Sequence, residues 1–330
     1  RFFDPGKEAL PGQRLTEDVS AATVSSAAVA TGPSPWWALP VVLGAGAWLS
    51  HFPVFQPGVG AVLAVGALLV WWRPVLLFGV VAAALPTFDL AAFSGREYVD
   101  EFDVLLLIGV VIAWVRQPAG GPTQLQDRWL NAALGAFALS AAVAALVALR
   151  PWDLAGLQHP DTPLSPWQAL RPLKGLAWAL CLYFLAQRQM ANQLPVVRSF
   201  AVGLVVGLAG VAGFVFWERA AFASLWDLST PYRVAGPVMA MRLGGVYLDA
   251  FLVSALPFAI IGALFGKSAT WRIFCAAAAL AGAYAIVVTF TRTTHLAAVV
   301  VCAVVVVSGR RAFLKKRVRT WASAALLVVL

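Results

Sequence analysis

Charged side chains are scarce in this sequence. Only 12% of its 330 residues are Asp, Glu, Lys or Arg, whereas 61% are hydrophobic, and its mean hydropathy is +0.82. Ordinary soluble domains carry roughly 25% charged residues, so this composition excludes a soluble domain. The apolar runs do not alternate with polar residues as membrane strands do, and a membrane-crossing helix needs about 20 apolar residues. We therefore expect an all-α, polytopic bundle of transmembrane helices.

Cysteines and the common phosphate and metal motifs are also few. Cys181, Cys275 and Cys302 all lie within apolar runs, and none belongs to a CxxC pair, which favours packing residues over a disulfide framework or a zinc site. The sequence has no Gly-rich loop followed by Lys-Ser/Thr and no metal-ligand spacing. A nucleotide-driven pump is therefore unsupported, and we expect neither a metal nor another cofactor.

The chain divides into a polar start and an apolar remainder. Residues 1–34 are rich in small residues, Pro and Gly, and we expect a disordered cytoplasmic tail there. Residues 35–330 form the predicted transmembrane domain, which we expect to be truncated because its last apolar run stops at Leu330. About eleven spans are predicted, at residues 36–50, 57–72, 74–93, 102–116, 129–149, 170–187, 199–217, 247–265, 271–290, 295–308 and 320–330.

The net charge of +9 reports topology and does not indicate a nucleic-acid partner, because Lys and Arg accumulate in cytoplasmic loops. With the N-terminus in the cytoplasm, sixteen Lys and Arg residues fall in inner segments and eight in outer segments. The basic cluster at 310–319 supports this orientation most strongly. The Thr-Arg-Thr-Thr-His junction at 291–295 is then predicted to face outward.

Cations nonetheless collect at the outer ends of the later runs. They are Arg171, Lys174, Arg219, Arg233, Arg242 and Arg292. Charges at this depth tend to face a polar cavity and pair with a partner, and we find few acids nearby, so an external anion such as a membrane-anchored diphosphate would balance them. The alternative is that each side chain snorkels to the lipid head groups. We expect Arg171, Lys174, Arg233, Arg242 and Arg292 to converge on one outward-facing cavity.

Two further features lie at this predicted outer side. Trp217, Trp226 and Tyr232 suit either an aromatic belt at the membrane interface or stacking on sugar rings. His295 follows Arg292 by three residues, so the two share a helix face. The histidine is either a general base or a polar cap at the start of a span.

Three segments resemble the O-antigen ligase and polymerase superfamily of bacterial envelope enzymes. They are SPWQALRPLKGLAWALCLYF, MRLGGVYLDAFLVSALPFAI with its mid-helix proline, and FTRTTHLAAVVVCAVVVV. The ligase-like part covers about residues 165–330. At one motif the family has Ser-Arg-Gly where this chain has Thr291-Arg292-Thr293.

The resemblance implies inverting, metal-independent glycosyl transfer from an undecaprenyl-diphosphate-linked glycan to a glycan or lipid acceptor. It implies a multi-pass protein of the bacterial inner membrane, in contact with membrane lipids. Arg242 and Arg292 match the family's diphosphate-binding arginines, and Arg171 and Lys174 match its outer-loop basic residues. The family's catalytic histidine lies in a large outer loop further along, so the main base is expected beyond Leu330, and His295 is the candidate within this sequence. A transporter or flippase for an envelope lipid or polysaccharide precursor is the alternative function.

Overall fold

A computed structural model of the chain describes residues 38–53, 55–88, 99–116, 128–150, 166–192, 194–229, 232, 234 and 246–315. All regular secondary structure within these ranges is helical, as predicted. The predicted tail at 1–34 and the last predicted span at 320–330 lie outside them.

Ten α-helices and one short 3₁₀ helix make up the described structure, and each of the first ten predicted spans overlaps one α-helix. The span predicted at 74–93 is too long, because its helix ends at Ala84 and residues 85–88 are not helical. The 3₁₀ helix Pro166–Ala169 leads directly into α6. The α-helices are α1 (Ala38–Ser50), α2 (Gln56–Trp72), α3 (Leu76–Ala84), α4 (Glu101–Val115), α5 (Arg128–Ala148), α6 (Leu170–Ala191), α7 (Val196–Phe222), α8 (Val246–Phe265), α9 (Ala269–Val288) and α10 (Arg292–Lys315).

Four described segments are long and apolar enough to cross a membrane. They lie in α5, α7, α8 and α9 and cover Trp129–Ala148, Val196–Phe222, Leu248–Phe265 and Ala269–Val288. Apolar parts of α1, α2 and α10 are shorter, at 10–17 residues each. The chain is thus a helical membrane protein.

Local sequence explains several helix ends. The Asp100 side chain accepts a hydrogen bond from the backbone N–H of Asp103, and the Asp103 side chain accepts one from the backbone N–H of Asp100, so the two form a capping box at the start of α4. The Ser268 side chain caps α9 by accepting a hydrogen bond from the backbone N–H of Trp271. Pro257 lies inside α8, as the sequence predicts.

Glycine brings α3 and α7 into close contact. A Cβ atom on Gly203 of α7 would lie 2.1 Å from the carbonyl oxygen of Gly79 in α3. One turn further along, a Cβ atom on Gly207 would lie 3.1 Å from the carbonyl oxygen of Ala82. Small residues at four-residue spacing allow such close backbone packing between membrane helices. Helices α3 and α7 therefore run parallel at the centre of the molecule.

The largest apolar core lies where α7, α8 and α9 pack together and α10 packs against α8 and α9. A second core joins α2, α3, α4 and α6. Helix α5 is peripheral: it packs mainly on α6, and only 6% of its apolar span is buried. This arrangement places α6 and α10, which both begin with predicted site residues, in different parts of the bundle.

Candidate functional site

The predicted site residues within the described structure occupy the first turns of two helices. Arg171 and Lys174 lie in the first turn of α6, and Arg292 and His295 lie in the first turn of α10. Arg233 and Arg242 are outside the described residues. Of the four described residues, Lys174 contacts α4 and His295 contacts α9.

Lys174 lies between two aspartates of the α4 capping box. Its Nζ is 2.6 Å from Oδ2 of Asp103 and 3.2 Å from Oδ2 of Asp100. The indole N–H of Trp178, one turn further along α6, donates to Oδ1 of Asp103 over 2.8 Å. The side chain of Asp103 is only 8% exposed, and its neighbour Glu101 is fully buried. Lys174 is therefore balanced by acids of the chain itself.

The protonation of this cluster is also unusual. The pKa of Asp100 is raised to about 6, chiefly by burial and then by the negative charge of Asp103, while hydrogen bonding to the Asp103 backbone and the charge of Lys174 oppose the rise. Proton uptake near neutral pH is thus possible at the start of α4.

A groove of about 480 Å³ opens beside the ion pair. Lys174, Asp103 and Trp178 form its polar end, and its apolar wall is formed by Val104, Leu107, Ala177 and Cys181. Such a shape suits an amphipathic molecule with its polar end towards the lysine.

The sequence reasoning missed the acids of this cluster. The signal was present as the Asp-Glu-Phe-Asp tetrapeptide at 100–103, immediately before an apolar run. Lys174 follows Asp103 by 71 residues, so no local pattern connects them. Only the packing of α4 on α6 brings the lysine to the acids.

The α9–α10 junction has a defined geometry. Phe290 adopts a positive φ of 52°, which reverses the chain over a few residues. The backbone N–H groups of Thr294 and His295 both donate to the carbonyl of Thr291, and these bonds begin α10. Arg292 is exposed at this first turn, while Thr294 is buried. The guanidinium thus lies at the N-terminal end of a helix, where unpaired N–H groups favour an anion.

His295 joins the two helices. Its Nε2 lies 3.0 Å from the carbonyl oxygen of Ile286 in α9. Since a carbonyl only accepts, Nε2 carries the proton, and a neutral ring leaves the lone pair on Nδ1. The histidine therefore links the last turn of α9 to the first turn of α10.

Arg219 has a structural role that the sequence did not reveal. It lies in the last turn of α7, it is 0% exposed, and its guanidinium donates to the carbonyls of Ser224, Asp227 and Tyr232. The sequence had suggested that this arginine would face an external anion. Main-chain oxygens instead bind both terminal nitrogens of this cation, while its buried Nε makes no hydrogen bond within the described residues. The result is a loop after α7 that is held by a buried side chain.

Tyr232 connects the same loop to α7 by a hydrogen bond. Its hydroxyl donates to Oε1 of the buried Glu218 over 3.0 Å. Burial and this hydrogen bond raise the pKa of Tyr232, and the nearby charge of Glu218 adds to the rise. The tyrosine thus stays protonated and keeps the loop docked.

The end of α7 and the α9–α10 junction lie at the same end of the bundle. The hydroxyl of Tyr284 in α9 donates to the carbonyl of Leu225 over 2.7 Å. Ile286, two residues later, accepts the bond from His295. The Arg219-held loop and the turn that carries Arg292 therefore lie at the same end of the bundle, at the last turns of α9.

No protein-family model matches this chain, and neither the curated proteins nor the solved structures contain a match.

Proposed function

We propose that this protein is a multi-pass glycosyltransferase of the bacterial inner membrane, with about eleven spans and a cytoplasmic N-terminus. It transfers a glycan from undecaprenyl diphosphate to a glycan or lipid acceptor without a metal. The observation that supports this proposal is the α9–α10 junction, where exposed Arg292 lies in the first turn of α10 and His295 anchors that turn to α9.

The chemistry requires a site for the leaving diphosphate. An acceptor hydroxyl attacks the anomeric carbon, the bond from that carbon to the phosphate oxygen breaks, and the hydroxyl proton passes to a base. Arg292 and the N–H groups of α10 stabilise the negative charge that develops on the diphosphate. The planar guanidinium of Arg292 suits two phosphate oxygens, and Arg242 is its proposed partner.

His295 is assigned a positioning role and not the role of the general base. The bond from His295 to Ile286 holds the turn that carries Arg292. In the full-length protein, His295→Gln should raise the KM for donor more than it lowers kcat and should leave the pH profile in place. Loss of all transfer together with the acidic limb of that profile would identify His295 as the base instead.

Arg292 provides the direct test of the function. In the full-length protein, Arg292→Ala should lower glycan transfer by on the order of 10²- to 10³-fold, and Arg292→Lys should also impair it because lysine lacks the planar fork. The control is Lys267→Ala, an exposed cation in the α8–α9 connection at the opposite end of the bundle. Wild-type transfer by Arg292→Ala would contradict the diphosphate assignment.

A second candidate function is proton-coupled transport of an envelope lipid, and the Asp100–Asp103–Lys174 cluster beside its groove favours it. Ionisable groups at such positions mark relay or substrate sites in transporters. Reconstituted protein should then move a fluorescent polyprenyl phosphate between leaflets in response to a pH gradient, and Asp103→Asn should abolish the movement. If the wild-type protein does not move the polyprenyl phosphate between leaflets, this candidate function is excluded.

A further inference from the structure

The loop after α7 presents one aromatic side chain almost entirely to the outside. Trp226 is 83% exposed, more than any other large apolar side chain among the described residues. Only the edge of its ring system is supported, by Tyr284, at a centroid distance of 6.4 Å and an interplanar angle of 65°. Tyr284 is itself stacked on Phe216 at 4.6 Å. The indole of Trp226 is thus exposed, and it is supported from one side by the stacked rings of Tyr284 and Phe216.

The backbone around Trp226 is fixed on both sides. The carbonyl of Leu225 accepts the hydroxyl of Tyr284, and the carbonyls of Ser224 and Asp227 accept the buried guanidinium of Arg219. A membrane-anchoring tryptophan needs no such fixed backbone, because the lipid around it is fluid. A contact residue that is already ordered loses less entropy when a ligand binds.

We infer that Trp226 is a stacking platform for a pyranose ring of the glycan that is attached to the diphosphate. The C–H groups of a sugar face carry partial positive charge and are attracted to the negative face of an indole. The carboxylate of Asp227, which accepts from the backbone N–H of Ser229 over 3.0 Å, adds a polar group beside the indole. Because the bond from Tyr284 to Leu225 places this loop at the same end of the bundle as the α9–α10 junction, a diphosphate bound at Arg292 would carry its sugar on the side of the protein that presents Trp226.

This inference rests on the proposed function and extends it to the sugar. The test compares two probes that differ only in the sugar: N-acetylglucosaminyl-diphosphoundecaprenol and undecaprenyl diphosphate. Their affinities for the full-length protein in nanodiscs are measured by microscale thermophoresis. Stacking uses the ring face and no particular hydroxyl, so a single pyranose is sufficient.

We expect the wild type to bind the sugar-bearing probe more tightly. Trp226→Ala should lower the affinity for that probe roughly five- to thirtyfold, the range for an interface anchor. The affinity for the sugar-free probe should not change. Trp226→Phe should retain part of the extra affinity for the sugar-bearing probe. The matched control is Trp217→Ala, which removes another exposed tryptophan near the end of α7, 56% exposed, and should change neither probe.

The outcomes separate this inference from the function on which it rests. If Trp226→Ala still binds the sugar-bearing probe more tightly than the sugar-free probe by the wild-type factor, Trp226 is not a platform. If Trp226→Ala and Trp217→Ala both weaken the binding of the two probes equally, Trp226 is a lipid-interface residue, and the platform is also overturned. Equal binding of both probes by the wild type would overturn the platform and leave the diphosphate site intact. Undecaprenyl diphosphate binding that does not depend on Arg292 would contradict the proposed function alone, and binding of neither probe would overturn both.

Discussion

At the residue scale, the charges that this apolar chain retains are balanced by contacts distant in sequence. Lys174 binds Asp100 and Asp103 across the α4–α6 interface, and Arg219 binds main-chain oxygens. A charge that is mostly buried is costly unless it is paired and hydrogen-bonded. Cations of similar appearance in the sequence therefore have different roles, and exposed Arg292 remains the candidate for an external anion.

Replacing Lys174 tests whether the ion pair supports the fold. Lys174→Met should lower the free energy of unfolding by about 1–3 kcal/mol, because two carboxylates would then face each other without their cation. Thermal unfolding of the purified protein in detergent measures the change.

Two variants complete that experiment. Lys174→Met combined with Asp103→Asn should recover part of the loss, because the remaining carboxylate no longer faces a second one. Lys267→Met, at an exposed position, should have little effect. If the double variant is no more stable than Lys174→Met, loss of packing rather than loss of charge explains the result.

The raised pKa of Asp100 predicts a pH dependence with a definite sign. Between about pH 4 and 6 the folded protein keeps a proton on Asp100 that the unfolded chain has lost, since the folded pKa is about 6. Stability therefore falls as pH rises through this window. Asp100→Asn preserves a residue suited to the helix cap but removes the titration, so its melting temperature should fall less from pH 4 to pH 7. Parallel curves for the two proteins would show that Asp100 does not titrate in this range.

At the element scale, the α3–α7 contact depends on the absence of side chains. Gly203→Ala would place a methyl group against the backbone of Gly79, and overpacking of this kind typically costs about 1–3 kcal/mol. We expect a lower melting temperature for this variant. Gly213→Ala is the control on the same helix, because a Cβ atom there meets nothing within 4 Å, and it should be neutral or stabilising. Equal effects of the two substitutions would argue against the close helix contact.

Hydropathy located the helices well and their ends less well. Helix α7 continues to Phe222, past the predicted end at residue 217, because Glu218 and Arg219 are buried by the loop that they hold. Helix α6 continues to Ala191 because Gln189 is buried, with its amide 3.5 Å from the carbonyl of Pro74. A hydropathy pattern ends at the first polar residues, whereas a helix ends where its tertiary contacts end.

At the scale of the whole molecule, the sequence could predict which residues share one end of the bundle. Arg116 lies 5.2 Å over Trp71, and Arg188 lies 4.7 Å over Trp114, so the predicted inner ends of α2, α4 and α6 meet. The contacts of Lys174 and of Tyr284 similarly join predicted outer ends. Successive spans cross the membrane in opposite directions, and this alternation alone predicts which helix ends lie at the same end of the bundle. Pairing of particular side chains could not be predicted, because it depends on which helices are neighbours.

The orientation of the bundle in the membrane is the prediction on which the proposed function most depends. The inner segments carry twice as many Lys and Arg residues as the outer ones, sixteen against eight, and helix α10 is continuous over 24 residues. At 1.5 Å per residue it is about 36 Å long, which exceeds the roughly 30 Å hydrocarbon core. The helix is therefore long enough to reach both sides of a membrane, although its apolar part, Arg292–Val307, is shorter than the apolar parts of α5, α7, α8 and α9.

Cysteine labelling decides the orientation. In a variant without Cys181, Cys275 and Cys302, Thr293→Cys should react with a membrane-impermeant maleimide in intact spheroplasts, because Thr293 is exposed at the predicted outer end of α10. Ala312→Cys, in the basic segment at the other end, should react only after permeabilisation. The reverse pattern would place Arg292 in the cytoplasm. It would then be out of reach of a lipid-linked glycan in the outer leaflet, and glycosyl transfer at this site could not be the function.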